Sequence, residues 1–167
     1  MTILVTGAAG FIGSNFVLDW FEQNDEHIVS LDKLTYAGNL ENLQPLENNE
    51  NHIFVRGDIA DEKLITSILN EYQPRGIINF AAESHVDRSI HGPKDFINTN
   101  IVGTYSLLEM ARNYWHNLEG QPKKKFRFLH VSTDEVYGSL DTSDPPFTET
   151  NAYAPSSPYS ASKAASD

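Results

Sequence analysis

The chain has 167 residues, 40% hydrophobic and 21% charged, the proportions of a globular domain with room for one sizeable core. Its formal net charge of −11 sets it against duplex nucleic acid and anionic membrane surfaces, and the short basic run Lys123–Lys125, following Gly120 and Pro122, reads as a solvated turn. The absence of cysteine excludes disulfides and thiolate metal sites and suits a cytoplasmic setting; no apolar run approaches the roughly 20 residues of a membrane span; and MTILVTGAAG lacks the basic stretch that opens a signal peptide.

In chain order, strands alternate with helices. TILVT is an apolar, β-branched run suited to a strand buried on both faces, and Phe16, Val17, Trp20 and Phe21 mark a helix over 11–23. HIVSLD is a second strand, 33–51 a long loop with one short helix, and HIFVRGD a third strand. Leu64, Ile65, Ile68 and Leu69 mark a helix that ends before Pro74, and GIINFAA is a fourth strand. Pro93 opens a long helix to about Asn117, with a stripe of Ile97, Ile101, Tyr105, Leu108 and Ala111. FRFLHVS is a fifth strand; a Pro- and Ser-rich loop over 139–157 leads into a helix at YSASKAASD. This alternation predicts an α/β domain with a parallel sheet covered on both faces by right-handed crossovers. The chain stops in that last helix with no capping glycine or polar tail, and is expected to be the N-terminal part of a longer protein.

Two motifs carry chemistry. TGAAGFIG places Gly7, Gly10 and Gly13 between the first strand and the first helix, where glycines permit a tight turn, a close approach to a pyrophosphate and close packing of helix on strand. Asp32 ends the second strand about 20 residues on, where a carboxylate binds ribose hydroxyls and favours NAD over its 2′-phosphorylated form; alone, it is also an ordinary turn or cap aspartate. Asp58 and Ile59 close the third strand, a position that serves equally as an adenine contact or a plain turn. After the fourth strand, Ala81 and Ala82 are small enough for the backbone to approach a cofactor, and Ser84 offers a ligand hydroxyl; Glu83, His85 and Asp87 have no second histidine at helical spacing and read as a polar loop, with no metal site. The second motif is Tyr159-Ser-Ala-Ser-Lys163, whose ends share one helix face. A phenol is a poor base near neutrality; a neighbouring ammonium and an oxidised nicotinamide both favour the phenolate, which then accepts a hydroxyl proton as hydride leaves. Asp134 and Glu135 lie side by side after the fifth strand, expected at the mouth of a central strand in a partly desolvated cleft that pushes their pKa values apart. A surface turn is the alternative for this pair.

From TGAAGFIGSN through DKLTYAGNLENL, AAESHVDRSI, NIVGTYSLLE and STDEVYG to YAPSSPYSASKAASD, the chain resembles the N-terminal half of the extended short-chain dehydrogenase/reductase family, in its nucleotide-sugar dehydratase branch. The resemblance implies a Rossmann-type doubly wound sheet, residues 1–167 forming an NAD-binding domain that stops before a C-terminal substrate domain. It implies a cofactor site built from Gly7, Gly10, Phe11, Ile12, Gly13, Asp32, Lys33, Leu34, Thr35, Asp58, Ile59, Phe80, Ala81, Ala82, Glu83, Ser84, Thr99, Tyr159 and Lys163. It implies dTDP-glucose as substrate, contacted by Ser84 and Thr133: oxidation at C4 with Tyr159 as base, removal of the C5 proton by Glu135, and proton donation by Asp134 to the departing C6 hydroxyl. The Asp–Glu pair argues against a sugar epimerase; a decarboxylase or a bare dinucleotide-binding module are the other readings. Members pair through the long helix and the Tyr-x-x-x-Lys helix, so a homodimer of the whole protein is implied. Without its remainder the chain is expected to turn over substrate weakly or not at all.

Overall fold

The computed structural model describes residues 1–167. Strands β1 (Thr2–Thr6), β2 (His27–Asp32), β3 (His52–Arg56), β4 (Gly76–Asn79) and β5 (Arg127–His130) form one parallel sheet in the order β3-β2-β1-β4-β5. The register sets Leu4 beside Val29 and Ile77, so β1 is hydrogen-bonded on both edges. It is also buried on both faces. Leu4, Val29, Leu31 and Ile77 point to one cluster, Ile3, Val5 and Ile28 to the other. This two-sided burial is why TILVT lacks an apolar/polar alternation.

Helix α1 (Phe11–Gln23) packs Val17 into the second cluster. Helix α2 (Glu62–Tyr72) packs Ile65, Ile68 and Leu69 into the first. Asp61 caps α2 by accepting from the amides of Lys63 and Leu64, a cap that contributes about 1 kcal/mol. The loop between β2 and β3 holds a short 3₁₀ segment, Leu40–Leu46, whose Leu43 and Leu46 close the second cluster.

Beyond β4 the structure departs from the sequence expectations. Strand β4 ends at Asn79 and β5 at His130, so Phe80–Ala82 and Val131–Ser132 are exit segments, not strand. The expected polar loop contains a short helix, α3 (Val86–His91). The long helix is a contiguous rod of three parts: α4 (Pro93–Phe96), a π-helical segment Ile97–Gly103, and α5 (Thr104–Asn117). The buried stripe keeps an i, i+4, i+7, i+8 spacing straight through the π segment, but lies on a different face from the apolar one. Phe96, Asn100, Gly103, Thr104, Leu107 and Ala111 face inward, while Ile97, Tyr105 and Leu108 of the predicted stripe are exposed. Lys123–Lys125 lie in helix α6 (Gly120–Lys125), not a turn, which delivers buried Phe126 to the core just before β5. Finally, β5 is an edge strand, not a central one. Helix α7 (Pro158–Ser166) starts with a capping box between Ser157 and Ser160 and Pro158 in its first turn. No helix is long and apolar enough to cross a membrane.

Candidate functional site

All five strands point the same way, so the segments leaving their carboxyl ends gather on one side of the sheet. Connections from β1 and β4 leave in opposite directions, which opens a crevice between them. A cleft of about 380 Å³ lies there, running from the glycine loop at one end to Tyr159 and Lys163 at the other.

The glycine loop is fixed by backbone packing. Gly7 has φ +66°, and a Cβ on it would stand 2.6 Å from the amide nitrogen of Ala81. A Cβ on Gly13 would stand 2.2 Å from the carbonyl oxygen of Gly7. Helix α1 starts without a side-chain cap, and the amides of Phe11, Ile12 and Gly13 have no acceptor within the chain. These amides, beside a glycine turn and at a helix N-terminus, suit the negative charge of a pyrophosphate.

Asp32 is buried, and its two oxygens accept from the amides of Ala9 and Leu34 at 2.9 and 2.7 Å. It thus ties the glycine loop to the turn after β2 while also lining the cleft. Gly38 lies close enough that a Cβ would stand 2.6 Å from Asp32 Oδ1. Lys33 and Asp58 form an ion pair at 2.6 Å. Burial pushes the Asp58 carboxyl up, but the Ala60 amide and Lys33 outweigh it and leave it below the usual range; Lys33, hydrogen-bonded to Asp58, is raised. Thr35 and Ile59 line the cleft as expected. Leu34 does not: its backbone adopts φ +55° and its side chain turns into the core cluster around α1.

Phe80, Ala81, Ala82, Glu83 and Ser84 line the middle of the cleft, with Thr99 from the π turn. Asn100 holds this segment in place. Its Oδ1 accepts from the amide of Glu83 at 2.8 Å, and its Nδ2 donates to the Glu83 carbonyl at 2.9 Å and to Ser162 Oγ at 2.8 Å. Sequence reasoning missed Asn100, because a polar residue gives no hydrophobic signal of the inward face it shares with Phe96, Thr104 and Leu107. Also missed were Ala37, Gly38, Val131 and Ser132 in the cleft wall; the first two sit in the DKLTYAGNLENL segment, whose expected cofactor contacts stop at Thr35.

Tyr159 and Lys163 share a face of α7 and both reach the cleft. Tyr159 packs edge-on against Phe96. The expectation that Lys163 lowers the phenol's pKa is not met. Burial raises it, the Thr133 hydroxyl beside it acts in the opposite sense, and the charges of Glu135 and Asp134 raise it further. Lys163 instead donates to the carbonyl of Val131 at 2.7 Å, and burial lowers its own ammonium.

Thr133 caps a 3₁₀ turn, Asp134–Tyr137, by accepting from the amide of Glu135. Asp134 is exposed and Glu135 half-buried, so the pair stands at the rim rather than inside a desolvated cleft. Neither they nor Thr133 line the cleft wall, although all three act on the Tyr159 hydroxyl. No three His, Asp or Glu side chains converge to hold an ion.

Comparisons with known proteins match this architecture along the whole chain. The dTDP-glucose 4,6-dehydratase of Xanthomonas campestris pv. campestris (strain B100) is 61% identical over 166 residues, covering 99% of this chain and 47% of that protein. The dTDP-glucose 4,6-dehydratase of Haemophilus influenzae is 54% identical, covering all of this chain and 49% of that one. The chain therefore spans about half the length of the curated relatives it matches. Among solved structures, the dTDP-glucose 4,6-dehydratase of Streptomyces venezuelae with NAD and TYD bound superimposes with TM-score 0.87 at 44% identity, over 99% of this chain and 49% of that one. The UDP-glucose 4-epimerase of Thermotoga maritima with UDP-glucose gives 0.82 at 32%, over 99% and 48%. Residues 4–167, from the first strand through the Tyr159–Lys163 helix, fit the pattern of the GDP-mannose 4,6 dehydratase family, and the chain belongs to that family.

Proposed function

We propose that residues 1–167 form the NAD-binding part of a dTDP-glucose 4,6-dehydratase. The observation that carries this is the convergence of the Gly7–Gly13 loop, Asp32 and the Tyr159–Lys163 face on one cleft. Gly10 and the free amides of Phe11 to Gly13 hold the pyrophosphate, and Asp32 holds the adenosine ribose. Ile59 and Asp58 flank the adenine, while Ala81, Ala82 and Thr99 wall the route to the nicotinamide end. A free oxygen lone pair on Asp32 suits ribose hydroxyls and repels a 2′-phosphate, so NAD is the form selected.

When bound, NAD supplies a hydride acceptor, later a donor, and a positive charge that favours the Tyr159 phenolate. Tyr159 takes the proton of the sugar's C4 hydroxyl, with Thr133 and Ser84 contacting the sugar. Lys163, held at the cleft wall, fixes the ribose beside Tyr159. Glu135 removes the C5 proton, made acidic by the C4 ketone, and Asp134 gives a proton to the departing C6 hydroxyl; the hydride taken from C4 returns to C6 and a proton to C5, so the net loss is one water. The turn that carries Asp134 and Glu135 packs against α7, the helix that bears Tyr159, which supports the two steps sharing one sugar. The exposed apolar face of Ile97, Tyr105 and Leu108 suits pairing of two copies of the whole protein.

A chimera joining residues 1–167 to the remaining half of the Xanthomonas relative tests the reaction. Incubated with dTDP-glucose, it is expected to yield a product lighter by one water, read by mass, and Glu135→Gln is expected to abolish that loss. A product of unchanged mass, still formed with Glu135→Gln in place, would point to an epimerase instead.

A further inference from the structure

Lys163 is 3% exposed, yet its ammonium reaches the cleft. Behind it runs an unbroken chain of polar side chains through the sheet, from β1 across β4 and β5 to α7, which the proposed reaction does not use. The Ala81 amide, a donor with no alternative role, points at Thr6 Oγ1 at 3.4 Å. The Thr6 hydroxyl donates to Asn79 Oδ1 at 2.5 Å. Reversing the Asn79 amide would leave the fully buried Thr6 proton without an acceptor, so this orientation is fixed. Asn79 Nδ2 then donates to His130 Nδ1 at 3.0 Å. Nδ1 must therefore be bare, and in the neutral ring the proton sits on Nε2. Nε2 has Ser166 Oγ at 3.1 Å to receive it, and Ser166 donates onward to the Lys163 carbonyl at 2.8 Å.

Lys163 Nζ lies 3.5 Å from that same Nε2. A bare Nε2 would accept one of the ammonium protons and draw it away from the cleft. A protonated Nε2 cannot. We propose that His130 is a positioning residue for Lys163: locked as the Nε2–H tautomer by Thr6 and Asn79, it leaves Lys163 only the Val131 carbonyl behind it and so turns the remaining N–H bonds into the cleft. The charged groups facing the ring are Lys163 of α7 and Asp167 at its C-terminal cap; β4 contributes only the neutral Asn79. Burial and Lys163 lower the His130 pKa while Asp167 raises it, with a net fall that keeps the ring neutral. The proposal rests on the cleft being an NAD site that Lys163 faces.

The test uses the full chain with ¹⁵N-labelled imidazoles and ¹³C-labelled lysine Cε. Two-bond ¹H–¹⁵N spectra are expected to show His130 as the neutral Nε2–H tautomer at pH 7; an Nδ1–H tautomer overturns the proposal without any variant. Asn79→Asp keeps the Thr6 bond but turns a donor into an acceptor. It should move the His130 proton to Nδ1, shift the titration midpoint of the Lys163 Cε resonance, and weaken NADH binding on the order of ten-fold. Adding His130→Gln restores a fixed donor at the Nε2 position, and NADH affinity should recover. A tautomer switch that leaves the Lys163 titration unmoved contradicts the proposal. If the wild-type chain shows the tautomer and Asn79→Asp shifts the Lys163 titration, but the wild-type chain binds no NADH, the cleft is not an NAD site while the positioning of Lys163 stands.

Discussion

The two ends of the cleft are built by different means. At the β1–β2–β3 end, side chains and glycines act on backbone: Asp32 accepts from two amides, and Gly7 and Gly13 lie against carbonyl and amide atoms. At the β4–β5–α7 end, side chains act on each other across the fold: Asn100 bridges Glu83 and Ser162, and Thr6, Asn79, His130 and Ser166 form a relay behind Lys163. Backbone packing has no slack, so damage at the first end should be all-or-none. Hydrogen-bond networks lose one partner at a time, so damage at the second should be graded.

The sharpest contrast comes from Gly13→Val. A side chain placed 2.2 Å from a carbonyl oxygen cannot be relieved by a rotamer change, and a loss of about 4 kcal/mol or more is expected, enough to abolish the cooperative urea transition. A well-folded Gly13→Val chain that still binds NADH would remove the distinction. Asn100→Ala should fall in between. It leaves the part-buried amide and carbonyl of Glu83 without their partner and takes a donor from Ser162 Oγ, so stability should drop by about 2–4 kcal/mol in urea with the fold retained. A drop of under about 1 kcal/mol would show that water replaces Asn100 freely.

The smallest effect is a pH dependence shared by both ends. His52 on β3 and His130 on β5 are each held below the ordinary histidine pKa, chiefly by burial. Unfolded, both rings take up a proton near about pH 6.5; folded, they do so only at lower pH. The unfolded chain therefore binds more protons in that window, and stability should fall as pH drops below about 6.5. Urea midpoints at neutral and mildly acid pH measure this, and His52→Phe should flatten the slope by removing one of the two groups. An unchanged midpoint across that range would mean that neither ring is held neutral.

The same contrast explains what could be read before any coordinates. Helix α1 spans Phe11–Gln23 as its apolar spacing predicted, and the Gly7–Gly13 loop and Asp32 stand where their spacing put them. Those features report local backbone geometry, which spacing encodes directly. The far end depends on contacts between residues distant in sequence. Periodicity placed Ile97, Tyr105 and Leu108 inward because it follows apolar residues, whereas the face that packs carries Asn100, Gly103 and Thr104, buried for close packing and hydrogen bonds rather than for hydrophobicity. Spacing of four put Tyr159 and Lys163 on one face but said nothing of where the ammonium ends. Its acceptor is the Val131 carbonyl, 32 residues upstream, rather than the phenol. The apolar runs GIINFAA and FRFLHVS hid the points where β4 and β5 stop, since exit segments lining a cleft are as apolar as the strands before them.

The most direct single measurement is a titration of NADH into the chain, followed by nicotinamide fluorescence. Saturable, one-to-one binding that is lost in Gly13→Val and weakened in Asp32→Ala is expected of a cofactor cleft built by the Gly7–Gly13 loop and Asp32. A folded chain whose NADH fluorescence does not change, or whose binding ignores both substitutions, would contradict it.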